Sequence, residues 1–233
     1  MENIDEIIKR VAEEVYAKLR EEGQTGTSGA SRSGEEWILS RMNPALRFDE
    51  MQKACGEVKN SKAKTLCVPQ WFVASAAEQL KGSGVNVGTV VGLPGGTTSS
   101  FAKYAEVKQA VVSGAEVIFV PVNMTLCGMS EWGTAKNDLA DSIVPCKGKA
   151  LVGAILEVDS LSCDQLATAA DMCASCGVDV VMLSAVIGGK ISDAQIQAVK
   201  QKGVCVGVYG GVTQSNIGDY QKAGATYFAS SSC

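Results

Sequence analysis

Short apolar runs alternate with longer amphipathic segments along most of the chain. The runs are nearly continuously apolar, which is typical of strands that are buried on both faces of a parallel sheet. The predicted strands, of which the first has the weakest pattern, are Ala45–Phe48, Ala63–Val68, Val85–Leu93, Ala115–Val122, Ala150–Glu157, Val178–Ser184, Val204–Tyr209 and Ala225–Ser230.

Segments of helical length connect these predicted strands. Several of them begin at a serine that can cap the first helical turn. The clearest are Pro69–Lys81, Ser99–Ser113, Ser162–Cys176, Ser192–Lys202 and Ser215–Ala223. Eight buried strands with intervening helices predict an α/β fold, the (β/α)8 or TIM barrel. An open doubly wound sheet is the alternative, and the absence of an early G-x-G-x-x-G motif makes it less favoured.

The N-terminal residues follow a different pattern. Residues 1–22 predict an amphipathic helix, because apolar residues recur every three or four positions. This apolar stripe consists of Ile4, Ile7, Ile8, Val11, Val15 and Leu19. Residues 23–36 are rich in glycine and serine, as flexible linkers are. We therefore predict a targeting or docking helix (1–22), a linker (23–36) and a barrel domain (37–233). The stripe needs a partner, either the barrel itself or another protein, since such a helix is marginal alone.

The composition argues against several classes of function. The net charge is −4 and there is no basic run, which argues against a nucleic-acid surface. The chain has no histidine, the usual general base and zinc ligand, and we predict neither a metal site nor a cofactor. Nine cysteines without an export signal are typical of reduced thiols in the cytoplasm. No apolar stretch approaches the roughly 20 residues of a membrane span.

Motifs from about residue 51 to residue 232 occur in the order seen in one known family. The most specific is V-G-T-V-V-G-L-P-G-G, which begins at Val87 and leads into a predicted helix. The others are T-L-C-V from Thr65, I-L-E from Ile155, the pair Gly210–Gly211, the pair Gly224–Ala225 and the closing serines from Ser230. Together they resemble the deoxyribose-phosphate aldolases. The resemblance implies an aldolase barrel whose ligand is a sugar phosphate such as deoxyribose 5-phosphate.

The same resemblance shows that reactive groups are missing. Family members carry lysines on the fifth, sixth and seventh strands and an aspartate on the fourth; one lysine forms a Schiff base and a neighbouring cation lowers its pKa. The matching positions here are Phe119, Gly153, Met182 and, depending on a one-residue gap, Gly207 or Val208. None of these side chains can attack a carbonyl or transfer a proton. The resemblance therefore implies an aldolase scaffold without the family's covalent route.

The phosphate end of the family pattern is better preserved. Gly210 and Gly211 can present backbone N–H groups to an anion, and Ser230 and Ser231 add hydroxyl and N–H groups at the end of the eighth strand. Barrels often bind phosphate after strands seven and eight. These four residues are our predicted phosphate site. The alternative is that they form tight turns only.

Two residues are candidates for an altered chemistry. Glu157 ends the fifth strand and could act as an acid or base at the barrel mouth. Lys190 follows Gly188–Gly189 and could serve as an anion contact or a displaced nucleophile, although a solvated loop lysine is the more common case. The Cys173-x-x-Cys176 pair lies within a predicted helix, where buried packing is the expected role.

The N-terminal helix and linker resemble the encapsulation peptides of bacterial microcompartment enzymes. Such peptides dock cargo to shell proteins or to other cargo, which implies a location inside a microcompartment in the cytoplasm. Three functions remain open. The first is a non-catalytic member that binds a sugar phosphate, alone or assembled as a homo-oligomer or with an active paralogue. The second is an active aldolase or related carbon–carbon lyase with an altered route. The third is a different barrel lyase or isomerase that reuses the anion site.

Overall fold

The computed structural model describes residues 35–185, 190–213 and 215–231. The predicted N-terminal helix of residues 1–22, with its whole apolar stripe, lies outside the described residues, as does nearly all of the predicted linker. The described part therefore corresponds to the predicted barrel domain.

Eight parallel strands of the described residues close into a barrel. They are β1 (Glu36–Ser40), β2 (Thr65–Cys67), β3 (Asn86–Val90), β4 (Val117–Pro121), β5 (Leu151–Glu157), β6 (Val180–Ser184), β7 (Cys205–Tyr209) and β8 (Tyr227–Ser230). Each strand pairs with its neighbours in sequence, and β1 pairs with β8 to complete the barrel. The predicted (β/α)8 barrel is confirmed, and the open doubly wound sheet is excluded.

The first strand is not where the apolar pattern placed it. The strand predicted at Ala45–Phe48 is wrong, because the chain turns at Asn43, whose side chain accepts from the Ala45 N–H at 2.9 Å. Phe48 then begins the first helix. The true strand, β1, directly follows the glycine- and serine-rich stretch, which obscured its short apolar run. Its N–H at Glu36 donates to Thr226 O at 2.8 Å, so the barrel begins within the last residues predicted as linker.

Helices connect the strands on the outside of the barrel. In the described residues they are α1 (Phe48–Lys59), α2 (Val73–Leu80), α3 (Ser100–Val112), α4 (Met124–Gly128), α5 (Trp132–Ser142), α6 (Cys163–Ser175), α7 (Asp193–Lys200) and α8 (Ile217–Ala223). The five segments predicted from sequence correspond to α2, α3, α6, α7 and α8. The predicted serine caps are confirmed at Ser99, Ser162 and Ser192, whose side chains each accept an N–H of the first turn.

The strands separate two apolar layers. Most of the core lies between the strands and the helices. The second layer fills the barrel interior with Ile38, Cys67, Val90, Val117, Phe119, Ile155, Val180, Met182, Tyr227 and Ala229. A filled interior is usual for this fold, and it provides a floor for any site at the carboxyl ends of the strands.

Candidate functional site

The positions where the family resemblance leads us to expect charged groups lie in the barrel interior. Phe119 on β4 pairs in register with Gly153 on β5, and Met182 on β6 pairs with Gly207 on β7. Phe119 is 4% exposed and Met182 is 1% exposed. Each large apolar side chain therefore lies beside a glycine on the neighbouring strand.

The two glycines have no space for a side chain. A Cβ atom at Gly153 would overlap the Phe119 ring, lying 2.5 Å from its Cε1. A Cβ atom at Gly207 would lie 2.9 Å from Met182 Cε and 2.8 Å from Tyr227 Cβ. The side chains of Phe119 and Met182 thus occupy the volume that a residue at either glycine would need. We call Phe119, Gly153, Met182 and Gly207 the apolar plug.

The strand register also decides between the two candidate positions on β7. Val208 is fully buried in the layer between strands and helices. Because successive strand residues point to opposite faces, Gly207 is the residue that shares the interior with Met182. Of the two candidate positions on β7, Gly207 is therefore the one that faces the barrel interior.

Polar side chains lie above the apolar plug, at the carboxyl ends of the strands. Glu157, Ser184 and Tyr209 are register neighbours on β5, β6 and β7, each two residues beyond an interior position. The Tyr209 hydroxyl lies 3.4 Å from Ser40 Oγ at the end of β1. We call these four residues the polar rim. Ser184 and Tyr209 were not among the predicted site residues. Their positions two residues after Met182 and Gly207 place them on the same face of their strands and could have identified them.

Glu157 is the carboxylate of the polar rim. Burial raises the pKa of Glu157, a hydrogen bond with Ser184 opposes that shift, and the charge of Asp159 adds to it. The Glu157 Oε2 atom is buried and has no hydrogen-bond partner among the described residues. Both observations make the charged carboxylate less favourable here than it would be in water. Glu157 therefore lies at the carboxyl end of β5 with a higher proton affinity than an exposed glutamate has.

Tyr209 supplies a hydrogen-bond donor on the same rim. Burial raises the pKa of Tyr209, and the hydrogen bond with Ser40 only partly opposes this shift. Ionised Cys67 or Glu157 nearby would raise it further. The phenol consequently keeps its proton, and its O–H can be donated to an oxygen of a ligand.

The turn after β7 has an open, glycine-dependent backbone. Gly210 and Gly211 have φ angles of 84° and 65°, in the left-handed region that glycine adopts without strain. Both residues are exposed. Asn216 Nδ2 donates to Gly211 O at 2.7 Å, which fixes the turn from the side of α8. The backbone N–H groups of this turn can therefore meet a ligand without an intervening Cβ.

The two predicted serines at the end of β8 differ in accessibility. Ser230 is 6% exposed, and its hydroxyl donates to Val212 O at 3.0 Å. This bond joins the end of β8 to the turn after β7. Ser231 is exposed. The structure therefore brings the four predicted phosphate residues into one contiguous region, with Ser231 as its accessible hydroxyl.

The two notable lysines lie outside the barrel interior. Lys190 is exposed. Lys103 is fully buried on α3, where its ammonium pairs with Asp138 and donates to Gly96 O at 3.1 Å. That arrangement anchors the loop after β3 from outside the barrel. The sequence analysis missed Lys103, although it precedes the buried Val107 by four residues and so lies on the buried stripe of its helix.

Burial makes three of the described cysteines poor nucleophiles. Burial raises the pKa of Cys67 and of Cys146 to about 12, and raises that of Cys173 well above its usual value. Across residues 35–185, 190–213 and 215–231, no group of three or more His, Cys, Asp or Glu could hold a metal ion. None of the helices described is long and apolar enough to cross a membrane. A cavity of about 490 Å³ lies at the amino end of β3, away from the polar rim.

The closed parallel barrel, with its candidate site at the carboxyl ends of the strands, makes this a (β/α)8 barrel protein. Deoxyribose-phosphate aldolase 1 of Cutibacterium acnes is 30% identical over 195 residues, covering 81% of this chain and 88% of that protein. Deoxyribose-phosphate aldolase of Bacillus subtilis is 30% identical over 195 residues, covering 82% and 87%. The chain therefore belongs to the deoxyribose-phosphate aldolase family. No family model matches it.

Solved structures agree with this fold. A putative deoxyribose-phosphate aldolase from Coccidioides immitis superposes with a TM-score of 0.78 at 20% identity, covering 94% of this chain and 93% of that one. Deoxyribose phosphate aldolase from Aeropyrum pernix, described as having a unique tetrameric structure, gives 0.75 at 17% identity, with 92% and 93% covered. At these identities the likeness demonstrates the shared fold alone.

Proposed function

We propose that the protein binds a sugar phosphate, such as deoxyribose 5-phosphate, at the barrel mouth and does not carry out the lysine-dependent aldol reaction. The observation that carries this proposal is the apolar plug. Its four residues occupy the positions that the family resemblance assigns to the reactive lysines and the proton-relay aspartate. A thioether, a phenyl ring and two glycines supply neither a nucleophile nor a proton shuttle.

The packing of the apolar plug argues against a site in which only one reactive side chain is missing. A lysine at Gly207 would overlap the side chain of Met182, and a lysine at Gly153 would overlap the ring of Phe119. Interiors packed in this way resist the enlargement of one side chain unless its neighbour shrinks. Regaining the reactive set would therefore require coordinated changes on four strands. This supports a barrel that is retained for binding or assembly.

The region above the plug still suits a small phosphorylated sugar. Gly210 and Gly211 offer backbone N–H groups for the phosphate, and Ser231 offers a hydroxyl. Tyr209 offers a donor for hydroxyl or carbonyl oxygens of the sugar, and Glu157 offers an acceptor, or a donor when it carries a proton. The apolar floor contacts the carbon skeleton. A ligand with an anionic end and a polar, uncharged end matches this division.

Glu157 favours a second candidate function. Its unpartnered Oε2 would allow it to act as an acid–base group in an aldolase, or a related carbon–carbon lyase, that works without a lysine in the interior. Lys190 would be the displaced nucleophile in a version of that route that still forms a Schiff base. A different barrel lyase or isomerase that reuses the anion site would need Glu157 in the same acid–base role.

Borohydride trapping separates these candidates. The purified protein is incubated with deoxyribose 5-phosphate and sodium borohydride and its intact mass is measured, while calorimetry measures binding of the same sugar. We expect binding and no added mass. A trapped adduct would overturn the binding-only proposal, and loss of that adduct in Lys190→Gln would identify the nucleophile. Release of acetaldehyde without an adduct, abolished by Glu157→Gln, would favour the acid–base route.

We also propose that residues 1–22 dock the protein to a microcompartment shell protein or to other cargo. The support is the apolar stripe together with the glycine- and serine-rich linker. A fusion of residues 1–34 to a fluorescent protein should give foci in cells that make shells. The matched control carries Ile7→Asp and Val11→Asp, which interrupt the stripe and should give diffuse fluorescence. Diffuse fluorescence from the unaltered fusion would contradict the proposal.

A homo-oligomer is the last part of the proposal. One relative is described as tetrameric. Trp71 on the surface is 88% exposed and Phe101 is 64% exposed, and large apolar side chains in such positions often lie at interfaces between subunits. Light scattering coupled to size-exclusion chromatography should give a mass above that of one 24.3 kDa chain. A monomer at micromolar concentration would contradict it.

A further inference from the structure

The predicted phosphate region has no positive charge of its own. Its segments, residues 210–213 after β7 and residues 230–231 at the end of β8, consist of glycine, valine, threonine and serine. Proteins that bind phosphate usually add an arginine or lysine to backbone N–H groups, because a charged donor makes a shorter and stronger hydrogen bond. The structure places one such group beside this region, directly after β1.

Arg41 follows β1, the strand that pairs with β8 to close the barrel. Its Nη1 donates to the carbonyl oxygen of Ser231, the accessible serine of the predicted site. The same nitrogen lies 3.4 Å from the carbonyl oxygen of Ser40. These two backbone contacts hold the guanidinium at the edge where β1 meets β8.

Hydrogen bonds connect three segments into one surface. Ser230 Oγ donates to Val212 O at 3.0 Å and joins β8 to the turn after β7. Arg41 joins the residue after Ser230 to the end of β1. The guanidinium is therefore held against the same two-residue segment that carries the predicted anion-binding hydroxyl.

Arg41 keeps donors for a ligand. A guanidinium has five N–H groups in a planar fork that matches phosphate geometry. Nη1 uses its two N–H groups on backbone carbonyls, and Nη2 uses one on Glu57 Oε2 at 2.6 Å. The N–H of Nε and the second N–H of Nη2 have no partner among the described residues. The side chain of Glu57 is 42% exposed, and an exposed ion pair of this kind is weak enough to yield to a phosphate dianion.

We propose that Arg41 is the cationic anchor of the anion site and binds the phosphate group of a phosphorylated sugar. This inference rests on the proposed sugar-phosphate function. It adds the residue that follows β1 to a site that was predicted at the ends of β7 and β8. Glu57 then acts as an internal competitor, which occupies the guanidinium when no phosphate is bound.

Calorimetry at low salt compares the wild type and four variants for binding of deoxyribose 5-phosphate, inorganic phosphate and unphosphorylated deoxyribose. Arg41→Gln should bind both phosphate-containing ligands about tenfold to hundredfold more weakly than the wild type, the usual effect of a charged hydrogen bond. Arg47→Gln is the matched control, because Arg47 also pairs with a carboxylate, Asp49, near the start of α1. It should bind as the wild type does.

Glu57→Gln separates ligand binding from a structural role. It removes the same ion pair as Arg41→Gln, so a structural role for the pair predicts weaker binding in both variants. A phosphate anchor predicts that Glu57→Gln binds phosphate as tightly as the wild type or more tightly. Arg41→Lys, which keeps the charge and loses the fork, should be intermediate, and it covers the case in which Arg41→Gln does not fold.

The outcomes distinguish this inference from the function on which it rests. If the wild type binds the phosphate-containing ligands and Arg41→Gln binds them equally tightly, the role of Arg41 is overturned and the proposed function stands. Failure of the wild type to bind either phosphate-containing ligand would overturn both. An equal loss for unphosphorylated deoxyribose and deoxyribose 5-phosphate in Arg41→Gln would also overturn the anchor, because the anchor contacts only the phosphate.

Discussion

Met182 and Gly207 give the sharpest quantitative test of the apolar plug. Met182 is 1% exposed, so Met182→Ala should lower the free energy of unfolding by about 2–5 kcal/mol through lost burial and a residual cavity. Gly207→Ala would place a Cβ 2.9 Å from Met182 Cε and 2.8 Å from Tyr227 Cβ. Overpacking of this kind costs about 1–3 kcal/mol.

The double variant Met182→Ala with Gly207→Ala should be destabilised by less than the sum of the two single variants. Met182→Ala removes the thioether that overlaps the new Cβ at position 207, which then fills part of the cavity. We expect a coupling free energy of about 1 kcal/mol or more, within the range for residues in contact. The rescue is partial, because Tyr227 Cβ remains in place on the other side.

Urea unfolding followed by circular dichroism measures all three variants. Gly56→Ala in α1 is the control, since a Cβ there meets nothing within 4 Å. That change should stabilise by about 0.5–1 kcal/mol, the usual gain from removing a glycine within a helix. If the destabilisation of the double variant equals the sum of the two single values to within about 0.5 kcal/mol, the reasoning is refuted, because the two side chains would then not compete for one volume.

Three further results are expected. Lys103→Met should lower the free energy of unfolding by about 3–5 kcal/mol in thermal or urea melts, because it leaves the carboxylate of Asp138 without its cation. Adding Asp138→Asn should recover part of that loss. An unchanged melt would contradict the buried pair. Burial raises the pKa of Glu157, so the folded protein favours the protonated carboxyl more than the unfolded chain does. The stability that results is fully present below the unfolded pKa of about 4.3 and is lost as pH rises through the folded pKa. Glu157→Gln should therefore raise the melting temperature relative to the wild type at pH 8 and lose this advantage below about pH 4; the opposite trend would show that Glu157 is stabilised as a carboxylate. Exposed Cys163 should react with a thiol reagent in the folded protein, whereas Cys67, whose pKa burial raises to about 12, should react only after unfolding, as peptide mass mapping would detect.

Most of the barrel could be predicted from the order of apolar runs. From Ala63 onward each predicted strand coincides with an observed one, because a strand buried on both faces needs apolar residues at nearly every position. The first strand could not be predicted in this way. Its short run follows the linker directly, and its pairing with β8, which comes from the far end of the chain, decides that it is a strand at all.

The candidate site, like the barrel, could be predicted from the sequence only in part. The sequence singled out Phe119, Gly153 and Met182, the paired glycines after β7 and Glu157 as candidate positions, because residue identity and local spacing are sufficient for those. It left the position on β7 open between Gly207 and Val208, and only the pairing of β6 with β7 decided which one faces the interior.

The sequence by itself determined the alternation of strands and helices and the apolar character of the residues that form the plug. The tertiary structure alone decided how those residues pack against one another. Phe119 fills the space above Gly153 and Met182 fills that above Gly207, and the members of each pair come from different strands. Arg41 meets Ser231 across a separation of 190 residues. Contacts of this kind depend on register and barrel closure, and no local pattern of apolar and polar residues encodes which side chain will occupy a neighbour's volume.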